Sequence, residues 1–346
     1  MTRPVTLRDQ RYDAIKGVIA VALNDQDFDR AAPWAQKRWG MDGWPTHLSK
    51  ASGVTGVSDA GSQIMIDTAM FRTIRERAVL FRMTGTRRVS FRTRSLLASG
   101  ATANWLGEGA PMPFSKVTFD PSGLPAYKLG AGAVATKEAL QLGAEVERTL
   151  FDELVRAITD ELDATFLNPA NAGTGDVVPA AITNGVTPVT ATGSTGDEIR
   201  ADLTTLINGF GGNLRSAYWV MHPTVAAARL GLQDFIDDLG IRGGELMGAP
   251  VLTSETAPKT SIALIDPTGI QVAHDDDILL TASEAGTVEI GDTPAQDAMD
   301  GTGAQMLSLF QNNLVGFKGR LAASWKRAQD GAVGIIQTGG ADWLAA

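Results

Sequence analysis

Between residues 145 and 167 apolar side chains return every three or four positions: Phe151, Leu154, Val155, Ile158, Leu162 and Phe166. That spacing predicts a helix with one buried stripe. Glu147, Asp152, Arg156, Asp160 and Asp163 fill the polar side, and Asn168-Pro169 ends the pattern. At about 1.5 Å per residue such a helix is about 35 Å long, a spine rather than a cap. A second helix is expected after Thr195, with Ile199, Leu203, Leu206, Ile207 and Phe210 on one face and Gly211-Gly212 at its end. A shorter helical patch over 7–23 rests on Ile15, Val18, Ile19 and Leu23.

Elsewhere the pattern reads as strand. Residues 87–94 alternate large and small side chains, and 117–119 and 126–136 are extended in character. Residues 217–221 form a buried strand, and His222-Pro223 opens a short helix with proline in its first turn. Residues 242–252 are a turn running into a strand. Short strands follow at 261–266, 269–273, 278–281 and 287–290, and 305–317 and 320–325 are long extended segments. Helices and strands fall in separate runs, which is the mark of an α+β chain.

Two stretches resist a regular pattern. Trp34, Trp39 and Trp44 sit among Pro33, Gly40, Gly43 and Pro45. Their rings need burial, either on their own chain or against a neighbouring subunit. A linker rich in Gly, Ser and Ala follows at 49–62. The second stretch is ANWLGEGAPMPFS, residues 103–115. With 87–94 it makes a long two-stranded finger. An isolated hairpin is marginal in water, so the finger must lie on its own domain or on another subunit.

Composition narrows the function. The 346 residues are 44% hydrophobic and 20% charged, enough for a real core. The net charge of −9 argues against tight, general grip on phosphates. No cysteine is present, which removes disulfides, zinc-thiolate sites and thiol nucleophiles. No apolar run reaches the roughly 18 residues of a membrane span, and the first ten residues lack a signal-peptide core. The expected setting is therefore a cytoplasm.

A search for chemistry returns little. The histidines are His47, His222 and His274. His222, before a proline at a strand–helix junction, suits a capping or core role better than a catalytic one. His274-Asp275-Asp276-Asp277 resembles a ligand run, yet adjacent strand residues point to opposite faces, so a solvated turn fits better. Neither a nucleophile elbow nor a phosphate-binding loop occurs. Glu108, between Gly107 and Gly109, has no histidine or lysine near it in sequence. No catalytic, metal or cofactor set emerges, and the expectation is a structural or assembly role.

The order of motifs is informative. An N-terminal arm precedes a hairpin with Trp105-Leu106-Gly107-Glu108-Gly109 and Pro111-Met112-Pro113; strands and a long helix follow; then come Trp219-Val220-Met221-His222-Pro223 and residues 244–251, GELMGAPV. Over about 65–337 this resembles the tailed-bacteriophage major capsid protein family, with its Hong Kong 97-type fold. The resemblance implies an arm at 1–65, a first peripheral part at 66–198 with an extended loop at 82–116 and the spine helix at 145–167, an axial domain at 199–303, and a second peripheral part at 304–346. It implies hexamers and pentamers of one chain in an icosahedral shell around double-stranded DNA, with no cofactor, no membrane, and scaffold, portal and decoration proteins as further partners. It places the chain in a virion capsid assembled in a bacterial cytoplasm. Intersubunit contact is expected from Arg94, Trp105, Glu108 and Phe114 of the loop and Trp34, Trp39 and Trp44 of the arm. An encapsulin-type nanocompartment shell and a gene-transfer-agent capsid share these features, and a monomeric enzyme using His222 is the reading from another class.

Some members of that family weld their loops by a Lys–Asn bond assisted by a Glu. Here no lysine lies between Lys50 and Lys116, and Gly319 stands where the assisting Glu is expected, although Asn312 and Asn313 are available. The resemblance therefore implies a shell without covalent cross-links. With only about 65 residues ahead of the body, it also implies no cleaved guiding segment, and either a separate scaffold or none.

Overall fold

A computed structural model describes residues 13–24, 28–39, 63–92, 123–142, 144–231, 233, 238–284, 286–289, 306–340 and 343–344. In chain order the elements are α1 (Asp13–Ala22), α2 (Phe28–Trp39), β1 (Gln63–Asp67), α3 (Thr68–Arg77), α4 (Val79–Arg82), β2 (Arg87–Arg88) and β3 (Tyr127–Thr136). There follow α5 (Lys137–Leu142), α6 (Ala144–Leu167), β4 (Val189–Thr190), α7 (Gly196–Gly209) and β5 (Tyr218–Met221), then a π-helical turn at Val225–Leu230. The remainder is β6 (Leu239–Gly240), β7 (Gly243–Leu246), β8 (Ala249–Thr253), β9 (Ser261–Ile265), β10 (Ile270–His274), β11 (Ile278–Ser283), β12 (Thr287–Glu289), β13 (Met306–Ser308), β14 (Leu314–Arg327) and β15 (Val333–Gln337).

The chain divides into two compact units, one of Met1–Glu76, Leu129–Thr159 and Asp275–Leu321, the other of Arg77–Lys128, Asp160–His274 and Ala322–Ala346. In the first, β1 pairs antiparallel with β11, β11 pairs antiparallel with the first half of β14, and β3 joins β14 as well. The apolar stripe of α6 is buried here through Phe151, Leu154, Val155 and Ile158. Fully burying such a side chain is worth about 1.5–3 kcal/mol.

The second unit holds a seven-stranded mixed sheet in the order β4-β15-β9-β5-β8-β7-β6. α7 lays Ile199, Leu203 and Leu206 into a core built around Trp219, Met221, Ile262 and Leu264. A full capping box starts α7: Thr195 accepts the Glu198 amide while Glu198 accepts that of Thr195. The Trp219 indole donates to the Leu246 carbonyl at 3.0 Å, so a large ring is buried without an orphaned N–H. The second half of β14 pairs with β10, which also takes β2 as a parallel edge.

Four details depart from the sequence reading. Trp34 and Trp39 are not in irregular chain but in α2, which accommodates Pro33 inside it. The strand expected at 87–94 shrinks to Arg87–Arg88, because the chain turns at Phe91 and Arg92 takes a left-handed φ of 57°. The extended run at 305–317 breaks at 309–313, where Asn313 has φ 54°, a conformation asparagine tolerates better than most residues. β14 then runs without a break through Gly319.

Asp202 is the buried fastener of the second unit. Its carboxylate accepts the Thr192 amide and hydroxyl, both at 2.8 Å, and the Trp343 indole N–H at 2.9 Å. Asp202→Ala strands the amide and the indole N–H; at about 1–3 kcal/mol for each orphaned group, a marked fall in the urea midpoint is expected. An unchanged midpoint would show that these bonds carry no net weight.

Candidate intersubunit surface

The two ends of the 93–122 stretch meet in the second unit. β2 leads to Val89, whose N–H donates to the Val272 carbonyl at 2.9 Å. Three residues later the Arg92 N–H donates to the Leu124 carbonyl at 2.8 Å, where the chain returns. A Cβ on Gly123 would lie 3.1 Å from the Arg92 carbonyl carbon, so the absence of a side chain is what lets the two backbones approach. Beside this root a cavity of about 350 Å³ is lined by Arg92, Gly123, Leu124, Pro125, Ala126 and Asp176. Arg94, Trp105, Glu108 and Phe114 belong to the stretch that leaves from this root, and they lie outside the described residues.

The arm contributes a described contact at Trp34. The Arg38 guanidinium stands over its ring, 5.1 Å from the centroid. The same guanidinium donates to the Leu140 and Gln141 carbonyls at 3.0 and 3.2 Å, closing the end of α5. Trp34 is half-buried and engaged within its own unit. Trp39 is the last residue of α2, and Trp44 lies outside the described residues.

Other apolar side chains stand out to solvent that the sequence reading did not single out. Phe310 is 84% exposed at the turn between β13 and β14, next to buried Leu309. Ile241 and Met247 are exposed at the turns on either side of β7. The only sequence signal for Phe310 was an apolar pair running into Gln311-Asn312-Asn313.

The groups considered for chemistry are used structurally. The Thr224 N–H donates to His222 Nδ1 at 3.0 Å, so His222 caps the turn after β5. Burial, and then the charge of Lys259, push its pKa below the usual imidazole value. The His274 ring packs edge-on against Phe81 at 5.0 Å. His47 lies outside the described residues, and among the described residues no group of three potential metal ligands converges.

Asp163 requires a correction. The helical pattern put it on the polar face, but it is only 2% exposed. Val79 donates its N–H to Oδ1 and Ser254 its hydroxyl to Oδ2, both at 2.9 Å. Burial outweighs these bonds and pushes its pKa up to about 7.

The residues relevant to a covalent weld sit in the first unit. Lys137 forms an ion pair with Glu284 at 2.6 Å, and its N–H donates to the Asn313 carbonyl at 3.0 Å. A Cβ on Gly319 would face Ile158, Leu280 and Ile278 at 3.5–3.9 Å. A carboxylate there would stand against three aliphatic side chains.

No family profile matches the chain. It is 32% identical over 275 residues to the "Capsid polyprotein" of Pseudomonas phage PAJU2, a match that covers 75% of this chain and 40% of that relative. The chain thus spans about two fifths of the curated relative's length. Among solved structures it superposes on a chain of Mycobacterium phage Adephagia with a TM-score of 0.52 and 15% identity, covering 76% of this chain and 90% of the other. A chain of Gordonia phage Cozz gives 0.51 and 16%, covering 74% and 85%.

Boiled, denatured particles should run as one band at the 36.4 kDa of the single chain. A ladder of covalent multimers would contradict the reading of Gly319.

Proposed function

The chain carries the Hong Kong 97-type capsid fold and is a relative of a phage capsid polyprotein, and from that premise we propose that it is a structural shell subunit that assembles into hexamers and pentamers of a closed icosahedral capsid. The observation that carries this reading is the 32% identity over three quarters of the chain. In the proposed layout, α6 is the spine of a peripheral domain, residues 199–303 contribute the axial domain, and the loop from the Arg92–Leu124 root reaches a neighbouring subunit. Arg94, Trp105, Glu108 and Phe114 then supply contact there, with the arm tryptophans adding to it.

Physical argument supports the layout. One copy must present different surfaces to different neighbours, and such heterologous contacts close into rings. Each contact can be modest, because a subunit in a shell is held by many partners at once. The −9 charge suits a wall that encloses DNA without gripping it. Scaffold, portal and decoration proteins, and assembly in a host cytoplasm, complete the proposal. Catalysis has no part in it.

Light scattering and negative-stain microscopy of the full chain, with a phage scaffold where one is needed, should show uniform closed shells. A chain lacking 95–108 should keep its folded core and lose assembly, since the root bond between Arg92 and Leu124 is retained. Shells formed equally well without 95–108 would overturn the role of the loop. A chain that stays monomeric even with scaffold would overturn the shell reading.

A further inference from the structure

We propose that Asp163 is a proton-operated latch that ties α6 to α4 and to the chain leaving β8.

The geometry is a carboxyl group shared by three elements of one unit. Asp163 projects from the last turns of α6 and is 2% exposed. Its Oδ1 accepts the Val79 N–H at 2.9 Å. That amide opens α4, and Ala78 before it supplies no side-chain cap, so Asp163 caps this short helix from across the fold. Its Oδ2 meets Ser254 Oγ at 2.9 Å, and Ser254 Oγ lies 3.0 Å from Thr256 Oγ1.

This pair of hydroxyls can serve both charge states. When Asp163 is ionised, Ser254 donates to Oδ2. When it is protonated, Oδ2–H donates to Ser254 Oγ, and Ser254 turns its own hydrogen toward Thr256. Two charged groups act on the site. Arg82, on α4 and in reach of the Thr253 carbonyl at 3.4 Å, favours the carboxylate; Asp160, on α6, opposes it. Burial is the largest influence and favours the acid, which places the titration at about 7.

The sign follows. The folded chain holds the proton more tightly than the unfolded chain, whose carboxyl has its ordinary value of 3.8. The stabilisation is complete below that value and is lost as the pH rises through about 7. Above that pH an ionised group sits in a poor solvent; the Val79 bond favours its charge, so the gain comes from openings of α4 that let water reach the carboxylate. α4 ends at Arg82, and the loop departs at Arg92. Raising the pH through neutrality therefore raises the share of chains in which α4 is open.

Hydrogen exchange read by mass spectrometry on the full chain, at pH 6 and pH 8 and corrected for intrinsic rates, tests this. Amides of 79–83 should lose protection about tenfold in the native chain, the change expected over the one pH unit between pH 6 and the midpoint. They should show no such loss in Asp163→Asn, which keeps the shape and both bonds. In Ser254→Ala, which removes a donor to the carboxylate, the loss should move to higher pH. Equal pH responses in the native chain and Asp163→Asn, or no response in the native chain, would overturn the latch. Should Asp163→Asn fail to fold, a carbon-13 titration of the native carboxyl decides: a midpoint near 7 supports the latch, and one below 5 overturns it. Because exchange is read on unassembled chains, failure of the latch and failure to form shells are separate results.

Discussion

One backbone hydrogen bond, from the Arg92 N–H to the Leu124 carbonyl, closes the long excursion of residues 93–122 on itself. Gly123 makes that closure possible by bringing bare backbone against Arg92. Arg92 itself takes a left-handed φ of 57°. The stretch between carries Trp105, Leu106 and Phe114. Under the proposed function, the apolar side chains of this stretch are the ones offered to the next subunit. The proposed function depends on this root more than on any single contact residue.

Buried aspartates do much of the fastening around it. Asp163 holds the first N–H of α4, and Asp202 holds Thr192 and the Trp343 indole. Asp266 accepts the amides of Asn213 and Thr268 and the hydroxyl of Ser216. Burial pushes the Asp266 pKa up, but the bonds from Asn213, Ser216 and Thr268 prevail and hold it below the usual carboxylate value. Asp163 has fewer donors and the opposite outcome. Two things separate the pair: deeper burial raises Asp163, and more N–H and O–H donors lower Asp266. Carboxylates spent on backbone donors in this way are held in place as structural ties, which accords with a shell subunit.

Much of the fold was legible where the pattern was local. The spine helix, expected at 145–167, is Ala144–Leu167, because its apolar stripe repeats without interruption. The capped helix after Thr195 and the strand ending in Met221 were equally plain. What failed was decided by distant partners or by single residues. Asp163 reads as solvated on a helical wheel, yet its partners are 84 and 91 residues away. The extended segments expected at 305–317 and 320–325 are joined through Gly319, where β14 runs on without a break. Pro33 hid α2, although Ala31 and Ala35 mark its buried side. At the candidate surface the loop root was half legible: the glycines and prolines announced a loop, while the bond joining its ends could only be seen in three dimensions.

The central claim is that the loop leaving this root covers another copy of the chain. The most direct measurement replaces Trp105 with a photoreactive benzoylphenylalanine in shells assembled from equal parts nitrogen-14 and nitrogen-15 chains. After irradiation, the account predicts linked peptide pairs that carry mixed labels. Pairs bearing one label only would place the loop on its own subunit and contradict the account.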